Sequence, residues 1–86
     1  MFKIKYERRV EKDLKHLPKE VIKQVLNRIE NLLAQNPLTG EKLEHQGRTF
    51  YKYRVRNYRI VYTIDANQKQ IGIYRIRHRK EVYRGL

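Results

Sequence analysis

The chain opens on strict alternation. In "MFKIKY", Phe2, Ile4 and Tyr6 fall on one side and Lys3 and Lys5 on the other, the period of a half-buried strand. From Glu7 the period lengthens. Val10 and Leu14 stand four apart, Glu7, Glu11 and Asp13 come early, and Lys15 and His16 close the segment, the charge order a helix dipole favours. Pro18 interrupts this helix and suits the first turn of a second, where its missing N–H is not needed. In "PKEVIKQVLNRIENLLAQN", Ile22, Val25, Leu26, Ile29 and Leu33 form one apolar stripe, which reads as a core-facing helix. "NPLTGEK" then breaks the helix with Pro37 and Gly40.

Period two returns three times. Tyr51, Tyr53 and Val55 alternate with Lys52, Arg54 and Arg56; Tyr58, Ile60, Tyr62 and Ile64 alternate with Arg59, Val61 and Thr63; "QIGIYRIR" (70–77) makes a third run. Asn57 separates the first two as a tight hairpin, "DANQK" (65–69) is a second turn, and Gly72 marks a bulge or a close backbone approach. "HRKEVYRGL" reads as a short helical turn or a tail. The expected fold is a single α+β domain spanning residues 1–86: an N-terminal strand, a two-helix hairpin and a three-stranded antiparallel meander. Together these make a four-stranded sheet with helices on one face and the other face open.

Composition narrows the function. With no cysteine, disulfides, thiolate metal sites and a cysteine nucleophile are excluded. The N-terminus lacks the apolar stretch of a signal peptide, and no apolar run approaches the roughly 20 residues of a membrane span, so a soluble cytoplasmic domain with no membrane contact is expected. Lys and Arg number 21 against 9 acidic residues, a net charge of +12. Residues 49–86 carry ten of those cations, two of the acids and six of the seven tyrosines. Cations interleaved with aromatics suit nucleic acid, where they displace phosphate counterions and stack on bases.

Alternation also decides which side chains meet. With Tyr51, Tyr53 and Val55 toward the helices, Lys52, Arg54 and Arg56 stand on the open face, with Arg59 on the neighbouring strand and Arg75 and Arg77 together on the third. Such a face repels itself unless a polyanion or an acidic partner neutralises it. RNA cleavage without a metal needs the 2′-OH deprotonated, the pentavalent phosphate stabilised and the leaving 5′-oxygen protonated. Arginines serve the second need. For proton transfer the candidates are His78, Tyr83, Lys52 and Glu81. His16 and His45 have no metal-ligand spacing, and no Gly-rich phosphate loop or Ser/His/Asp set is present; no metal or cofactor is expected.

"KLEHQG", "FYKYRV", "NYRIVY" and "HRKEVY", in this order and after an "LKHLP" joint, resemble the RelE-type toxins of the RelE/ParE superfamily across essentially the whole chain. The resemblance implies the toxin of a type II toxin–antitoxin module, a metal-independent endoribonuclease that cuts mRNA in the ribosomal A site through a 2′,3′-cyclic phosphate. By motif matching, Lys52 and Arg54 become the 2′-OH activator and a phosphate contact, and Arg59 the transition-state stabiliser. Tyr83 becomes a base-stacking or proton-transfer residue, and His78 the acid that some members use. Arg77 or Arg79 takes the place of the family's second catalytic arginine, the glycine usual before "HR" being Arg77 here. Arg56, Arg75, Lys80 and Arg84 complete the expected RNA-binding set. The implied partners are the ribosome with its mRNA and an acidic, RelB-like antitoxin. Two alternatives stand beside this reading: a ParE-like inhibitor of DNA gyrase, and a non-catalytic nucleic-acid-binding homologue.

Overall fold

The computed structural model describes residues 1–80. Tyr83 and Arg84 lie outside that range, as does most of the expected terminal turn or tail. Strand β1 (Lys3–Tyr6) leads into helices α1 (Arg8–Lys15) and α2 (Lys19–Arg28), and then into β2 (Glu41–His45), β3 (Arg48–Val55), β4 (Tyr58–Asp65) and β5 (Gln70–His78). The sheet order is β1-β5-β4-β3-β2, with β1 parallel to β5 and the other pairs antiparallel.

The sheet thus has five strands where four were expected. The added β2 occupies what reads as loop, because Leu43 is its only aliphatic residue; a short, charged edge strand of this kind resists pairing with other chains. Gln46 and Gly47, at φ of 49° and 77°, join it to β3 with the left-handed pair that a two-residue hairpin turn requires. The β3–β4 turn likewise takes two residues, Arg56 and Asn57, since Val55 pairs with Tyr58.

One face of the sheet carries the core. Val10, Val21, Val25, Ile29 and Leu33 from the helical layer pack on Val55, Ile60, Tyr62, Ile71, Ile73 and Ile76, none more than 7% exposed. The stripe on α2 is rotated from the expected one: Val21 is buried, while Ile22 and Leu26 are half-buried at its flank. A π-helical segment, Ile29–Leu33, follows α2. Its wider turn, with the Ala34 N–H donating to the Ile29 carbonyl at 2.9 Å, re-phases the chain so that Leu33 and Ala34 are both buried. The Tyr62 hydroxyl donates to the Pro37 carbonyl at 2.6 Å and accepts from the Gly40 N–H at 3.0 Å, pinning the loop after the helices to the sheet. Burial pushes this phenol up to about 12. Gly40 is obligatory there: a Cβ would collide with the Tyr62 hydroxyl and lie 2.7 Å from the Lys52 carbonyl.

A bulge in β5 sets the faces. Val61 pairs with Arg75 but Tyr62 with Ile73, so Tyr74 is the extra residue. Gly72 answers to close approach instead, a Cβ there lying 3.0 Å from Thr63 Oγ1. Strict alternation from Ile71 and Ile73 would turn residues 75 and 77 inward. The extra residue puts Ile76 inside and moves Arg77 to the open face. Beyond the end of β1, α1 runs along the exposed edge of β5. Asp13 supplies there what a strand would have supplied, its Oδ2 accepting from the Ile76 N–H at 3.0 Å. No helix among the described residues is long and apolar enough to cross a membrane.

Candidate nucleic-acid interface

The open face is dominated by three arginines in one cross-strand row. Arg54 of β3 pairs in register with Arg59 of β4, which pairs with Arg77 of β5. Directly opposed residues place their Cβ atoms about 5 Å apart, so the three arginine side chains leave the sheet next to one another. Arg54 is further fixed by its Nε, which donates to the Arg56 carbonyl at 2.7 Å. Lys52 stands two residues before Arg54 on the same face, its Nζ 3.8 Å from Glu41 Oε2. Glu41, Lys52, Arg54 and Arg59 line a shallow depression beside the row.

Glu41 was not singled out by sequence reasoning. It lies on the overlooked β2, and its position opposite Lys52 follows only from the β2–β3 register. The neighbouring acid on the same strand, Glu44, accepts instead from Thr49 Oγ1 at 3.0 Å and sits 3.6 Å from Lys42.

Several expected members stand elsewhere. Arg75, in register with Val61 and two residues before Arg77, is 8% exposed: its Nε and Nη2 each reach the Asp13 carboxylate at 3.0 Å, a buried bidentate ion pair between sheet and helix. Its guanidinium is therefore held by α1, which runs along the β5 edge, and does not stand exposed in the row as expected. Arg56 occupies the β3–β4 turn with φ of 55°, and its Nη2 lies 4.0 Å from Glu20 on the helical side. His78 is in register with Tyr58, with the two rings in an edge-on arrangement 5.7 Å apart. Tyr58 packs against the helix-side core, so His78 is on the face opposite the arginine row, in a cleft with Asp13, His16 and Leu17. Arg79 and Lys80 are exposed just past the end of β5; the Arg79 N–H donates to the Asn57 carbonyl at 2.8 Å, and that of Lys80 to His78 Nδ1 at 3.3 Å.

The structure therefore brings together Lys52, Arg54, Arg59 and Arg77 and adds Glu41. The family described as ParE toxin of type II toxin–antitoxin system, parDE, matches residues 4–83. The chain is a toxin of the RelE/ParE superfamily. A relative among characterised proteins, Toxin RelE3 of Methanocaldococcus jannaschii, is 37% identical to this toxin over 76 residues, 84% of each chain. The solved RelE–RelB complex of Pyrococcus horikoshii is similar at 27% identity, with a TM-score of 0.76 over 91% of this toxin and 94% of that chain. The RelBE2 toxin–antitoxin complex of Mycobacterium tuberculosis gives 0.83 over 90% and 96% at 24% identity, a likeness of fold. The RelE/ParE toxin described here thus shares its fold with these solved toxins over about nine tenths of its length.

Proposed function

We propose that this toxin is a ribosome-dependent endoribonuclease that cuts mRNA in the A site and so halts translation. The observation that carries the reading is the row of Arg54, Arg59 and Arg77. A scissile phosphodiester, whose transition state gains negative charge on its non-bridging oxygens, is a ligand that guanidinium groups so arranged suit. In this reaction the 2′-oxygen attacks the adjacent phosphorus and loses its proton to a base. The bond from phosphorus to the 5′-oxygen then breaks and that oxygen takes up a proton, leaving a 2′,3′-cyclic phosphate and a 5′-hydroxyl. The arginine row contacts the phosphoryl oxygens. Lys52 engages the 2′-oxygen, with the Glu41 carboxylate beside it as proton acceptor. Arg77, in register with Arg59, takes the second catalytic arginine position in preference to Arg79. Tyr83 remains a candidate for base stacking or proton donation. His78, on the other face, is disfavoured as the direct acid.

The second partner is an antitoxin, as in the RelE–RelB complex of Pyrococcus horikoshii. An acidic segment laid over the open face would neutralise the charge that RNA otherwise engages. The description of the matching family as ParE toxins favours one other reading, a gyrase inhibitor that cuts no RNA. The deciding experiment incubates purified protein and mRNA with EDTA, with and without translating ribosomes, and maps ends by primer extension. Cuts at codon positions only with ribosomes support the proposal. Cleavage of naked RNA keeps a nuclease without the ribosomal requirement, and intact mRNA in both reactions together with gyrase inhibition overturns it.

A further inference from the structure

Toward the far end of the same sheet face stands a second cationic group that the cleavage chemistry does not use. Phe50 and Val61, 1% and 0% exposed, form a small buried cluster with Leu43 and Tyr74. The Phe50 and Tyr74 rings lie 5.1 Å apart. Two guanidinium groups from distant parts of the chain pack on these rings. That of Arg48 is 5.1 Å from the Phe50 ring and 5.6 Å from the Tyr74 ring, and that of Arg9 on α1 is 5.6 Å from Tyr74. The bulge at Tyr74 is what lets this ring join Phe50 while Ile73 and Ile76 both stay in the core. Arg48 is solvent-exposed. A guanidinium held against rings presents an outer plane and an N–H edge, which suit a nucleobase and a phosphate respectively. An acidic peptide would use the edge alone.

Arg48 and Arg54 lie on one face of β3, and at about 3.3 Å per residue they are roughly 20 Å apart, a span a short single strand covers. We propose that Arg48, with Tyr74 and Arg9, forms a base-stacking subsite for single-stranded RNA flanking the scissile phosphate, so that the strand runs across the open face from the Arg54–Arg59–Arg77 row to Arg48. This rests on RNA being the substrate, as argued above.

The test is fluorescence anisotropy of the purified toxin with an oligoribonucleotide of roughly six residues, compared with versions made abasic at one position at a time. Wild type is expected to lose about tenfold in affinity at one abasic position, the scale of a base–aromatic stack. Arg48→Ala should bind the intact strand about tenfold more weakly and be indifferent to that position. Arg48→Lys, which retains the charge, should keep the salt dependence yet lose the abasic discrimination. Thermal melts establish that each variant is folded. An abasic penalty that persists in Arg48→Ala, or unchanged affinity in both variants, overturns the subsite. Should neither Arg48→Ala nor the double variant Arg54→Ala/Arg59→Ala alter binding, the RNA reading itself fails, and the subsite with it.

Discussion

On the helix-covered face of the sheet, Ile60, Tyr62, Ile71, Ile73 and Ile76 are at most 1% exposed and meet a matching layer of aliphatic side chains. On the other face of the same strands, Arg54, Arg59 and Arg77 oppose one another in register. The first arrangement is what folding selects, since removing apolar area from water is its main driving force. The second works against folding, since like charges directly opposite destabilise a sheet. Residues one step apart on the same strands thus answer to different demands, and the arginine row is the part of the sheet that the proposed RNA binding would use. The Asp13–Arg75 pair marks the boundary: an arginine two residues before Arg77 is buried against a carboxylate.

Breaking that boundary should have the largest effect. Asp13→Ala leaves a buried guanidinium and the Ile76 N–H without their acceptor, and should cost about 3–5 kcal/mol in urea unfolding. The double variant Asp13→Leu/Arg75→Met should recover much of the loss. If Asp13→Ala unfolds like wild type, the buried pair does not stabilise the fold.

Next is Tyr62→Phe, which strands the Pro37 carbonyl and the Gly40 N–H and should cost about 1–3 kcal/mol. The folded phenol is raised from 10.0 to about 12, first by burial. Its stabilisation is therefore fully present below pH 10 and is lost as pH rises from 10 toward 12. Alkaline titration of stability should show this fall in wild type and a shallower one in Tyr62→Phe.

On the open face the sign should reverse. Arg59→Gln removes the central charge of the row and should raise stability by a few tenths of a kcal/mol, about the scale of a cross-strand pair, while RNA binding weakens and its salt dependence flattens. A loss of stability would show the row to be structural. Smallest of all should be Tyr6→Phe. Among the described residues, the Tyr6 hydroxyl is the buried side-chain polar atom without a hydrogen-bond partner. Burial, and then Glu30, raises its pKa. Removing it should leave the midpoint within about 0.5 kcal/mol of wild type.

The helical hairpin and four of the strands were legible because their periods are clean. β2 was not, because a charged edge strand with only Leu43 to anchor it carries no alternation. Arg54 and Arg59 could be placed on one face from the hairpin alone. Whether Arg77 or His78 joins them depends on the Tyr74 bulge, which no local pattern announces and which exchanges the two between faces. Asp13 and Arg75 meet across 62 positions, and Glu41 reaches Lys52 only through β2, so neither contact had a signature in sequence. The platform of Arg9, Arg48 and Tyr74 joins α1 to β3 and β5 and was invisible for the same reason.

The arginine row is proposed to act on the transition state. Its most direct test compares wild type with Arg59→Ala for mRNA cleavage on translating ribosomes, with ribosome affinity measured in parallel. A loss of about 10²–10³ in cleavage rate with affinity changed only severalfold is expected. Equal losses in both, or cleavage at the wild-type rate, would contradict it.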